Sequence, residues 1–270
     1  MSYFVIGERT CFYEVIGDGE PLLLLHGFTG SGQNWAAHLP AFASQFQVMI
    51  VDIWGHGRSS SPSNPAAYKM ENTASDLLCL LDELAVPQAH LLGYSMGGRL
   101  ALYLAVHFPE RWRSLVLESA SPGLDTAVSR QERSAKDNEL ADWIEANGIE
   151  AFVDRWEQLP LWASQQQLSA EVRQTLRQQR LQNNPVGLAN SLRGMGTGQQ
   201  PSLWPHLPAV QLPTLLLAGE LDGKFVDINQ QMAAQMPHAM LGIIEGAGHT
   251  IHLERPYAFQ QSVLNFLKTR

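Results

Sequence analysis

The chain has 270 residues, 45% of them hydrophobic and 16% charged, with a formal net charge of −8, the profile of one large globular domain or one domain carrying an insertion. The acidic balance excludes the basic face of a nucleic-acid binder. The longest apolar run near the start, Leu22–Leu25, is too short for a signal peptide or a membrane-spanning helix, so a cytoplasmic location without membrane insertion is expected.

Tyr3–Ile6 and Cys11–Ile16 read as two strands joined by a Gly7-Glu8-Arg9 turn, an antiparallel hairpin at a sheet edge. Cys11 and Cys79 both lie in apolar segments and are expected to be small buried hydrophobes of a reducing compartment, with no metal or redox spacing. Gly17–Pro21 breaks the chain before the buried strand Leu22–Leu25, which runs into His26-Gly27-Phe28-Thr29-Gly30. A glycine-rich loop at a strand's carboxyl end lets backbone N–H groups approach a ligand, and the Phe28 N–H is a candidate donor. Gly27-x-x-Gly30-x-Gly32, with Asp52 about twenty residues on, imitates a dinucleotide fingerprint. Its glycine spacing is reversed and two strands precede it, so no nucleotide site is expected.

Val48–Val51 is the next strand, and Met70–Leu84 an amphipathic helix with Leu77, Leu78, Leu80, Leu81 and Leu84 on its apolar face. Strand Ala89–Leu92, helix Arg99–Val106 and strand Ser114–Leu117 follow. Strand and helix alternate this far, which predicts a parallel sheet with helices on both faces. From Thr126 to about Gly198 no strand-like run occurs; Trp143 with Ile144, Phe152 with Trp156, and Leu168–Leu181 have helical spacing. About 80 residues are too many for an ordinary connection and predict a helical cap. Alternation resumes with strand Pro213–Ala218, helix Val226–Gln235, strand Ala239–Ile244 and helix Pro256–Lys268. The expected architecture is an α/β fold with a mostly parallel eight-stranded sheet. Residues 1–121 and 204–270 form its core, and residues 122–203 a cap inserted after the sixth strand.

Gly93-x-Ser95-x-Gly97 sits between a strand and a helix, the context of a nucleophile elbow, where small flanking residues permit a sharp turn that exposes the hydroxyl. The Met96 N–H, at a helix N-terminus, is a second candidate oxyanion donor beside Phe28. A serine hydroxyl needs a histidine to accept its proton and a carboxylate to fix the tautomer. Two loops after later strands supply them: Gly219–Phe225 offers Asp222 and Gly246–His249 offers His249, in the chain order of an α/β-hydrolase triad. Glu118, Glu220 and Asp227 compete for the acid's place, and Asp222 could merely cap the helix that follows it. His252 is better placed to start the next helix, while His26 and His56 read as structural donors. His249-x-x-His252 has no third ligand at matching spacing, so no metal is expected.

A narrower likeness lies in the segments Tyr94-Ser95-Met96-Gly97-Gly98-Arg99, Leu117–Leu124, Arg130-Gln131-Glu132-Arg133, Ile149–Trp156, Ser191–Gly198 and Gly219–Phe225. These resemble the 2-succinyl-6-hydroxy-2,4-cyclohexadiene-1-carboxylate synthases of menaquinone and phylloquinone biosynthesis, α/β-hydrolase-fold enzymes. The resemblance implies a lyase that needs no cofactor and expels pyruvate from a cyclohexene ring bearing succinyl, carboxylate and enolpyruvyl groups. Ser95, His249 and Asp222 would assist proton abstraction. Arg133 and Arg180 match the family's carboxylate-binding cap arginines, and Tyr94 and Trp156 its pocket-lining positions; Arg99, one turn past Ser95, is placed where it can turn back to a carboxylate and is a further candidate for substrate binding. Arg130, Arg173 and Arg177 read as surface, and Trp162 as packing or pocket lining. A serine ester or carbon–carbon hydrolase on the same scaffold is the first alternative. An apolar cap pocket would suit it, whereas convergent arginines suit a small tricarboxylate. A non-catalytic binding member of the fold would be expected to lack one of the three triad residues.

Overall fold

The computed structural model describes residues 2–270. Strand β1 (Ser2–Ile6) pairs antiparallel with β2 (Arg9–Ile16), and β2 in turn with β4 (Phe46–Val51), so a hairpin forms one sheet edge. The hairpin turns at Gly7, whose φ of +59° suits a residue without Cβ. The other six strands run parallel: β4, β3 (Glu20–Leu25), β5 (Ala89–Tyr94), β6 (Trp112–Glu118), β7 (Thr214–Gly219) and β8 (Ala239–Ile244), in that spatial order. The run of four leucines in β3 reflects this placement, since a central parallel strand is covered on both faces. Leu23 and Leu25 join the core beneath α2 (Met70–Glu83), α3 (Met96–His107) and α7 (Gly223–Gln235); Leu22 and Leu24 join the opposite core, with Phe42 of α1 (Leu39–Ala43) and Phe259 of α9 (Pro256–Leu267).

Residues 119–213 contain no strand. They form α4 (Ala127–Trp156), a 3-10 segment over Pro160–Gln167, α5 (Ala170–Leu181) and α6 (Pro185–Met195). The three α-helices of this cap begin at Thr126, Ser169 and Asn184 respectively, whose side chains accept backbone N–H groups of the first turn and so satisfy donors a helix start leaves free. Leu188 and Leu192 of α6 pack against Ala141, Ile144, Phe152 and Val153 of α4, giving the cap its own small core. At Gly148 (φ +78°, ψ 177°) α4 bends sharply and becomes two arms. Glycine supplies an angle there that other residues adopt only under strain.

Two sequence expectations meet a different outcome or a cause here. Cys11 is buried, but Cys79 is exposed, because α2 turns Leu77, Leu80 and Leu81 inward and carries residue 79 to the outer side. Asp52, the acid of the imitation fingerprint, is fully buried and binds the Gly32 N–H at 2.7 Å, the Arg58 N–H at 2.9 Å and the Arg58 Nε at 3.0 Å. Its carboxylate pins two loops together in the interior. Among the described residues no helix is long and apolar enough to cross a membrane.

Candidate active site

Ser95 joins β5 to α3 with φ +49° and ψ −106°, a conformation costly for a residue with a Cβ. The surroundings enforce it. The Ser95 N–H donates to Glu118 O at 2.8 Å, and the Ser95 carbonyl accepts the Arg99 N–H at 2.9 Å as the helix begins. A Cβ on Gly97 would press on the backbone oxygens of Leu25 and His26, and one on Gly93 on the carbonyl of Gly97. Strand, turn and helix therefore fit only with glycine at both positions, and the hydroxyl is held half-buried at the lip of a cavity.

His249 Nε2 lies 3.0 Å from Ser95 Oγ, and His249 Nδ1 lies 2.6 Å from Asp222 Oδ2. With the proton on Nδ1 donated to the carboxylate, Nε2 is an acceptor for the serine hydroxyl. Asp222 makes no capping bond to α7 although it stands at that helix's start, so its carboxylate serves the imidazole alone. Two of the three competing acids, Glu118 and Glu220, are engaged elsewhere, and Asp227 makes no bond to the imidazole. Glu118 accepts both the backbone N–H and the Nδ1 of His252 within the fully buried interior, and Glu220 binds the Gly246 N–H. Glu254, in the short helix α8 (Ile251–Glu254), holds the histidine loop from below by accepting the N–H groups of Gly248 at 2.6 Å and Thr250 at 3.1 Å.

On the other side of Ser95, the loop after β3 turns back through a Gly30 N–H to Gly27 O bond of 3.0 Å. His26 fixes this loop, donating from Nδ1 to Gly27 O at 2.8 Å and accepting the Ile53 N–H on Nε2 at 2.9 Å. Burial lowers the pKa of His26 and pushes that of His56 down to about 3, so both rings are neutral supports. The N–H groups of Phe28 and Met96 donate to no acceptor among the described residues, and both residues line the same cavity as Ser95 and His249.

The cavity, of about 200 Å³, has a charged end and an aromatic wall. Tyr94, Trp156 and Trp162 supply rings, and Trp162 lies 5.6 Å from the His249 ring. Arg99 and Arg133 both line it. Arg99 is anchored by Nη1 to Met195 O at 2.8 Å and to Gln200 Oε1 at 3.3 Å; burial, and then the neighbouring Arg133 guanidinium, pull its pKa down to about 10. Arg133 Nε pairs with Asp137 at 2.8 Å. Arg180 does not join them. It is only 5% exposed, bonds to Glu157 Oε1 at 3.0 Å and Gln165 Oε1 at 3.2 Å beside Trp162, and lines a smaller neighbouring pocket with Phe28, Tyr94 and Trp162, its buried Nε without a partner among the described residues. The sequence reading missed Lys224 and Asp137, both cavity-lining. The signal available for Lys224 was its place two residues after the acid.

The α/β hydrolase fold family model matches residues 20–256 of the chain. A Bacillus subtilis (strain 168) protein is 45% identical over 259 residues, covering 94% of each chain; its name assigns it, provisionally, as 2-succinyl-6-hydroxy-2,4-cyclohexadiene-1-carboxylate synthase. The 2-succinyl-6-hydroxy-2,4-cyclohexadiene-1-carboxylate synthase of Serratia proteamaculans (strain 568) is 31% identical over 247 residues, covering 91% of this chain and 92% of its own. Among solved structures, MenH from S. aureus superposes with a TM-score of 0.92 at 38% identity, over 95% of this chain and 98% of that one.

Proposed function

The chain belongs to the α/β-hydrolase fold family and within it to the 2-succinyl-6-hydroxy-2,4-cyclohexadiene-1-carboxylate synthases, and from that membership we propose how its own residues eliminate pyruvate from 2-succinyl-5-enolpyruvyl-6-hydroxy-3-cyclohexene-1-carboxylate. Ser95 Oγ removes the ring proton beside the succinyl carbonyl while its own proton passes to His249 Nε2, and Asp222 stabilises the imidazolium that results. The electron pair of the broken C–H bond moves onto the succinyl oxygen, where the unengaged N–H groups of Phe28 and Met96 receive it. As that enolate collapses, a ring double bond forms at the deprotonated carbon, the existing ring double bond shifts one position, and the carbon–oxygen bond to the enolpyruvyl group breaks. The departing enolate takes the proton back from the imidazolium and becomes pyruvate, so the enzyme ends as it began and no cofactor enters the balance.

The observation that carries this reading is the pairing of a hydrogen-bonded Ser95–His249–Asp222 chain with a cavity faced by two guanidinium groups, Arg99 and Arg133. An anionic ring needs local cations in an acidic protein, and a neutral ester does not. Tyr94 and Trp156 flank the ring in this arrangement. Arg180, which the resemblance places on a carboxylate, lies beside Trp162 and lines the adjoining pocket with Phe28 and Tyr94. The proposal includes a cytoplasmic location, which the two unpaired thiols of Cys11 and Cys79 favour.

The test is pyruvate release from the enolpyruvyl substrate by the parent, Ser95→Ala and Arg133→Ala, with a nitrophenyl ester as control. The parent is expected to release pyruvate, Ser95→Ala to lose nearly all activity, and Arg133→Ala mainly to raise KM. Brisk ester turnover without pyruvate would establish the hydrolase reading instead.

A further inference from the structure

Of the cations around the cavity, Arg133 is paired with Asp137, and Arg99 is anchored to Met195 and Gln200. Lys224 also lines the cavity and has no ion-pair partner among the described residues. It is exposed, in the first turn of α7, on a different element from either arginine. Its Nζ lies 5.4 Å from the centroid of the Phe225 ring, and that ring is 4.7 Å from His249. Lys224 thus sits on the His249 side of the opening.

The proposed substrate carries three carboxylates, and the cavity offers two arginines. We propose that Lys224 is a third cation of this cavity and holds one of these carboxylates at its mouth. The inference rests on the function proposed above for the identity of the ligand, but its geometric part stands without it. Arg180 bonds to Glu157 and Gln165 and lines a smaller pocket beside Trp162, whereas Lys224 lines the Ser95 cavity itself and has no ion-pair partner among the described residues. The residue types suit the two places. A planar guanidinium can be locked into a buried network; an ammonium on a flexible stem can meet an anion at a solvent-accessible mouth and follow it inward.

Lys224→Gln and Lys224→Arg separate this from a bystander role. In pyruvate release, Lys224→Gln is expected to raise KM about fivefold with kcat changed by less than about twofold, as for one partly exposed charge pair. Lys224→Arg is expected to restore KM, and added salt to raise KM in the parent more than in Lys224→Gln. An unchanged KM in Lys224→Gln, with an unchanged thermal midpoint, would overturn the proposal. A second arm needs no turnover: tricarballylate and glutarate are titrated against the fluorescence of Trp156 and Trp162. The parent is expected to bind the tricarboxylate more tightly than the dicarboxylate, and Lys224→Gln to lose that preference. A preference that survives the substitution overturns the subsite. If the parent releases no pyruvate yet shows the Lys224-dependent preference, the lyase reading falls and the carboxylate subsite stands.

Discussion

Asp222 Oδ2 lies 2.6 Å from His249 Nδ1, and no other carboxylate among the described residues touches that ring. In Asp222→Asn the amide can donate to Nδ1, which moves the ring proton to Nε2 and removes the acceptor that faces Ser95. Pyruvate release is expected to fall by about 10²–10⁴ with little change in thermal midpoint. Retention of more than half the rate under saturating substrate would show that the imidazole needs no oriented partner.

The cap reaches the catalytic loops through Gln165. Its Nε2 donates to Thr250 Oγ1 at 2.9 Å, Thr250 Oγ1 is 3.2 Å from the Tyr94 hydroxyl, and Gln165 Oε1 accepts from Arg180. Thr250 follows His249 in sequence and Tyr94 precedes Ser95, so one amide is linked to the neighbour of His249 directly and to the neighbour of Ser95 through it. Gln165→Leu leaves a buried guanidinium short of a partner and is expected to destabilise the chain by about 1–3 kcal/mol. Faster proteolytic cleavage within residues 159–168 should accompany it. Denaturant unfolding and limited proteolysis check this, and a protein indistinguishable from the parent in both would refute it.

Gly97 has backbone oxygens where a methyl group would go, while nothing lies within 4 Å of a Cβ at Gly223. Gly97→Ala is expected to cost more than about 4 kcal/mol or to prevent soluble expression. Gly223→Ala is expected to change stability by less than about 1 kcal/mol. Similar unfolding midpoints for the two would mean that the elbow relaxes more easily than its backbone contacts imply.

Acid should weaken the fold through its buried histidines. His26, His38, His56 and His90 all have pKa values lowered chiefly by burial; for His56, with His26 beside it, the value falls from 6.5 to about 3. A base harder to protonate when folded leaves the unfolded chain holding more protons, so its stabilising effect is complete above pH 6.5 and shrinks as pH falls below that value. Between pH 6 and 4 each such group contributes a slope of about 1.4 kcal/mol per pH unit at most. Urea unfolding of the parent and His56→Gln should show a shallower loss in the variant. Parallel pH profiles would mean that His56 is already protonated in the folded chain.

The sheet was legible in the sequence because its signals are local. The leucine run of β3, the glycines around Ser95 and the acid and histidine closing two later loops each mark a strand end without reference to distant residues. The facing of the cap helices was not legible in the same way. Arg133 and Arg180 both sit on helices with ordinary amphipathic spacing, yet Arg133 lines the Ser95 cavity while Arg180, bonded to Glu157 beside Trp162, lines the adjoining pocket. Cys79 failed similarly, since a small residue between inward leucines carries no sign of its side. Lys224 went unnoticed because exposed lysine is the commonest of surface residues, and only a cavity in three dimensions distinguishes it.

The bend at Gly148 divides α4 so that Arg133 and Asp137 ride on one arm, Phe152 and Trp156 on the other. Charge and flat hydrophobic surface thus reach a ligand from two levers sharing a single hinge point. A change of backbone angle there is expected to reset the span between them while leaving each contact group chemically intact, a route to altered ring breadth from a residue outside the cavity lining.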